Sequence, residues 1–142
     1  MPRPSGEDPN CMGTLLHWLG ERDQDGFAES DDIITLLKEK YELTKTPTEG
    51  DIAIWYKDPF DVLMPLILHT GVVIEEGTPP KIKSRMTQDG DIEELPADVV
   101  MDMLDRMRKY KSEGYILTDA MQRLRIVHGA LPKYYTRISG YK

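Results

Sequence analysis

Cys11 is the single cysteine among 142 residues, and it opens the apolar run CMGTLLHWL. A thiol is a weak nucleophile until it ionises. A helix N-terminus favours the thiolate through its free N–H groups and positive dipole end. An imidazole close by would take the proton and form a thiolate–imidazolium pair. The same N–H groups would stabilise the oxyanion that forms when the thiolate attacks an acyl carbon. These residue types are those of thiol-based acyl transfer.

Three histidines compete for the role of base. His17 lies six residues along the helix of Cys11, about 9 Å up its axis, and is out of reach. His128 falls in the last turn of an expected helix, where a cation suits the dipole. His69 begins the segment HTGVV, where a buried strand would hold it rigidly, and Gly71 leaves room beside it. By elimination His69 is the candidate base. It needs an orienting partner on its other ring nitrogen. Ser84 stands between Ile82 and Met86 on the inward face of the next expected strand, with Gln88 as a second candidate further out.

Each of these residues also has a plain structural reading. A lone cysteine is commonly a small buried hydrophobe. A strand histidine is commonly a hydrogen-bonded core group, and Ser84 would then bond a backbone carbonyl. The methionines of VVMDMLDRM read as core filling. The acidic run QDGDIEE reads as a solvated loop, because its acids lack the spacing of a calcium site. No metal-ligand motif and no phosphate-cradling glycine loop is present, so neither metal nor organic cofactor is expected.

The elements that would position these groups follow from periodicity. Met12, Leu15, Leu16 and Leu19 share one helical stripe over residues 11–19, and Gly20 ends it. Ser30 reads as an N-cap for a second helix over 31–41, with Asp31 and Asp32 in its first turn. Strands are expected at 51–56, 66–74 and 81–86, joined as an antiparallel meander. Asp51 reads as a turn-former. Helices are expected at 95–110 and 118–129, and a last edge strand at 133–139. The fold class is α+β, one domain over residues 1–142, with 95–142 as a helical C-terminal extension.

Composition narrows the partners. The formal net charge is −7. Nucleic acid and anionic membrane both reward a basic surface, so neither is expected as a main partner. One cysteine forms no internal disulfide. MPRPSGEDPN lacks the apolar core of a signal peptide, which leaves a cytoplasmic protein or one exported without a classical signal. Oligomeric state is not legible.

The order of the motifs resembles the unpermuted branch of the NlpC-type, papain-like cysteine peptidase superfamily. The resemblance rests on Asn10-Cys11 opening a helix, Gly50-Asp51 entering a strand, His69-Thr70-Gly71 starting the next strand, and Ser84 on the strand after that. It covers roughly residues 9–86. It is nearest a branch with a Ser-Lys-Trp-Gly motif on that last strand; here Arg85, Met86 and Thr87 follow the serine. The resemblance implies a papain-like core and a cysteine peptidase or amidase that cleaves an amide bond through a thioester. In that hydrolase Cys11 is nucleophile, His69 base and Ser84 orienter, while Asn10 and Gly71 shape the oxyanion and substrate side. A peptide, with peptidoglycan stem peptide as leading member, is the implied substrate. A catalytically silent binding or scaffold protein on the same fold, and an intracellular protein deamidase or toxin, are the alternatives.

Overall fold

The apolar stripe at the N-terminal end folds as α1, Cys11–Trp18, in the computed structural model. The structure describes residues 9–56, 67–86, 90–104 and 131–138. Asn10 caps α1, its Oδ1 accepting from Gly13 N at 2.9 Å. Gly20, at φ 79°, turns the chain away beyond it, a conformation glycine adopts without steric cost. Helix α2, Ser30–Lys40, starts one residue earlier than the sequence implies. Its N-cap is Glu29, whose backbone N–H bonds Asp32 Oδ2 at 2.9 Å. Ser30 is spent elsewhere: its Oγ accepts from Ile67 N at 3.2 Å.

The remaining described elements are strands: β1 Tyr41–Thr44, β2 Ile52–Tyr56, β3 Ile67–Glu75, β4 Lys81–Arg85, β5 Ile92–Pro96 and β6 Lys133–Arg137. They form one sheet in the order β1-β6-β2-β3-β4-β5, every neighbouring pair antiparallel. The chain is thus α+β, and the β2-β3-β4 meander is present. Asp51 shapes the turn into β2, its Oδ2 accepting from Thr48 N at 2.8 Å.

Four expectations are corrected. Tyr41 leaves α2 and begins β1. Residues 92–96 are a strand, so the acidic run is not merely a loop and no helix begins at 95. The chain is helical at 100–104; residues 105–110 and the whole of the expected helix at 118–129 lie outside the described residues. The last strand is not at an edge: β6 lies between β1 and β2. It fits there because its alternating tyrosines serve both faces, Tyr135 packing on one core and Tyr134 on the other. Residues 95–142 therefore contribute sheet strand as well as helix.

Alternation along β2 sorts the core into two layers. Ile52 and Ile54 meet Leu15, Leu16, Ile33, Leu36 and Leu37 of the helices; this is the α face. Ala53 and Trp55 meet Val73, Ile82, Met86, Val100, Met101 and Leu104; this is the far face. None of the helices among the described residues is long and apolar enough to cross a membrane.

Candidate functional site

Cys11 is the first residue of α1 and is half-buried. Its backbone carbonyl accepts from Thr70 Oγ1 at 3.0 Å. Thr70 pairs with Ile54 across the β2–β3 ladder, so its side chain is on the α face, under α1. The next residue back, His69, pairs with Trp55. Their rings lie 5.6 Å apart, centre to centre, on the far face.

Ser84 completes this far-face group. Its Oγ is 2.9 Å from His69 Nε2 and donates to Met86 Sδ at 3.3 Å. His69 and Ser84 are each 1% exposed. His69 and Ser84 are thus within hydrogen-bond distance, and Ile82, Ser84 and Met86 share a face. The reason Ser84 comes so close is Gly71. A Cβ there would meet Ile82 Cγ2 at 2.5 Å, Lys83 O at 2.9 Å and Ser84 Cβ at 3.1 Å. The space that a side chain at position 71 would take is occupied by β4.

The structure therefore brings together His69 with Ser84, and Cys11 with Thr70, but puts the sheet between the two pairs. Successive side chains on a strand point to opposite faces. Thr70 takes the place under α1, so His69 faces away from it. The bulge that shifts register between Trp55 and Tyr56 sits before this point and leaves the alternation at 69 and 70 intact. Gln88 lies outside the described residues, as does His128.

Asn10 is also spoken for. Besides capping α1, its Nδ2 donates to Ala28 O at 2.8 Å and its Oδ1 accepts from Ala28 N at 3.1 Å. That amide braces α1 against the segment before α2. His17 is held at Nδ1 by Arg22 O, 3.1 Å away. A carbonyl only accepts, so Nδ1 carries the proton there.

Sequence reasoning missed Arg85. It crosses from β4 to α1, its Nε donating to Thr14 Oγ1 at 2.8 Å and its Nη2 to Asp25 Oδ2 at 2.8 Å. Thr14 Oγ1 donates in turn to Asp25 Oδ1 at 2.6 Å. Burial pushes the Asp25 carboxyl up, but the hydrogen bonds from Thr14 and Arg85 and the guanidinium charge together hold it below its ordinary value. The alternation of KIKSR, which puts Arg85 opposite Ser84's face, was the available signal. Further along the same face, Lys83 Nζ stands 4.8 Å from the Trp18 ring centre.

Among the described residues no cluster of three or more His, Cys, Asp or Glu side chains is arranged to hold a metal ion. No family model, no curated protein and no solved structure matches the chain.

Proposed function

We propose that this chain is a binding or scaffold protein that keeps the element order of a papain-like fold, a cysteine-bearing helix followed by antiparallel strands, without its hydrolytic chemistry. One observation carries the reading. Thr70, not His69, faces α1 and bonds the carbonyl of Cys11, while His69 is sealed on the far face with Ser84. A thiolate–imidazolium pair needs the two groups within hydrogen-bond reach. Here His69 and Ser84 act as a satisfied polar pair inside an apolar layer, where an unpaired imidazole would be costly.

The surface for a partner is the α face beside α1. Trp18 and Lys83 stand together there. Lys83 is opposite Glu94 and Arg85 opposite Ile92 on β5, and Ile92 is 42% exposed. An aromatic ring, an exposed aliphatic and charges of both signs suit a protein segment as partner.

A second reading keeps Cys11 as the nucleophile of a cysteine hydrolase acting on a peptide or amide. It is favoured by the half-buried position of Cys11 at the first residue of a capped helix. Its base would be a group other than His69.

The test is the pH-dependence of Cys11 alkylation by iodoacetamide in the wild type and in His69→Gln. The binding reading expects slow labelling at pH 6 and the same pH profile in both proteins. Fast labelling at pH 6 that His69→Gln abolishes would overturn it in favour of a Cys-His hydrolase. Fast labelling that survives His69→Gln would favour the second reading.

A further inference from the structure

We propose that residues 25–28 form a latched strap across the first turn of α1, with Arg85 as the latch, and that the strap lifts as a unit when the latch is broken. The segment 21–29 contains neither helix nor strand. It lies directly on the helix: a Cβ at Gly13 would sit 1.7 Å from Gly26 O. That approach is possible only because position 13 has no side chain.

Two polar fastenings tie the strap to the rest of the fold, and within the loop Arg22 Nη1 donates to Phe27 O at 2.7 Å. At one end Asn10 grips it through three bonds, Asn10 N to Gly26 O at 3.3 Å and the reciprocal pair between its amide and Ala28. At the other end Arg85 reaches over from β4 and takes Asp25 and Thr14 together, at 2.8 Å each. Its remaining Nη1 donates to Gly90 O, so the guanidinium ties three separate stretches of chain to α1. Thr14 is fully buried, which fixes the site of attachment on the helix.

Apolar burial adds little to this hold. Of residues 25–28 only Ala28 is in the core, and the Phe27 ring is turned outward at 36% exposure. Segments held by a few polar contacts open at lower free energy than the core they rest on. The bonds from Arg85 to a carboxylate are charge-assisted and among the stronger ones available. Loss of the guanidinium thus frees the strap while α1 keeps Leu15 and Leu16 in the core. Opening would uncover Asn10 and the flank of α1 that carries Gly13 and Thr14.

The experiment is amide hydrogen exchange on the full chain, comparing wild type, Arg85→Gln and Asp25→Asn. The reporter is the Ala28 amide, which donates to Asn10. The reference is the Val73 amide, which donates to Asp51 O at 2.8 Å in the sheet. Arg85→Gln is expected to speed exchange at Ala28 between about ten- and a hundred-fold, the effect of losing a hydrogen bond to a charged group, with Val73 unchanged. Asp25→Asn, the milder lesion, is expected to act in the same direction and decides the matter if Arg85→Gln does not fold. Unchanged exchange at Ala28, or an equal rise at Ala28 and Val73, overturns the proposal.

Discussion

The two faces of the sheet handle polar side chains in opposite ways. On the far face His69 and Ser84 are paired beside Trp55 and Met86, each only 1% exposed. On the α face Thr14, Asp25 and Arg85 form a chain of hydrogen bonds that reaches the surface, the Asp25 side chain keeping 29% of its exposure. The far-face group is held among neighbouring strand residues, His69 Nε2 on Ser84 Oγ and Ser84 Oγ on Met86 Sδ. The α-face network joins helix, strap and strand. A histidine beside a serine looks the more chemical of the two arrangements in sequence. In three dimensions it is the enclosed one, and the face that meets solvent is built on an arginine.

Glycine substitutions separate the faces most strongly. Gly13→Ala, in a helix, would ordinarily stabilise. Here it is expected to destabilise by ~1–3 kcal/mol or more, because the atom in the way is backbone Gly26 O. Gly71→Ala is expected to cost less within the same range, since its closest obstacle is the Ile82 side chain. Urea midpoints of the two variants check the order; the reverse order would place the tighter contact on the far face. Next in size, Ser84→Ala is expected to cost ~1–3 kcal/mol by leaving His69 Nε2 short of its partner inside the core. Thr70→Val, which removes the bond to Cys11 O, is expected to cost ~0.5–1.5 kcal/mol. If only Thr70→Val alters Cys11 alkylation, the assignment of the two residues to opposite faces is sharpened; if only Ser84→Ala does, it is broken.

The smallest effect is the pH-dependence of the α-face network. The Asp25 carboxyl is lowered on folding. Its contribution is therefore present above the ordinary carboxylate range and lost as pH falls through the lowered value. Wild type is expected to exceed Asp25→Asn in urea midpoint at pH 7, with the gap closing below about pH 4. A gap that persists to the lowest pH would show that the carboxylate charge is not what holds the latch.

Much of this arrangement was legible in the sequence. The stripe of Met12, Leu15, Leu16 and Leu19, the Gly20 stop, the three meander strands and the adjacency of His69 and Ser84 all follow from period and order. What was not legible arises from long-range choices. Tyr41–Thr44 has four residues, too few to display a period, and its partner β6 is some ninety positions away. Residues 92–96 carry charges at the centre, as an edge strand tolerates, and so read as a loop. The separation of Cys11 from His69 hinges on a parity of one: the histidine and threonine are adjacent, and only the bond from Thr70 to α1 reveals which of them the helix covers.

The interior seat of β6 has a consequence for the order in which the molecule is made. As the chain leaves the ribosome, residues 9–56 emerge with β1 and β2 unable to touch, because the strand that belongs between them has not been synthesised. The α-face core can gather under its helices early, but β1 has no partner until residues 133–137 are free. Closing that gap spans most of the chain, a contact of high sequence separation and slow formation. During synthesis β1 and one border of β2 are unpaired strand edges, the kind of surface that draws other chains. The protein's exposure to misassembly is thus set less by its final shape than by the lateness of one five-residue strand.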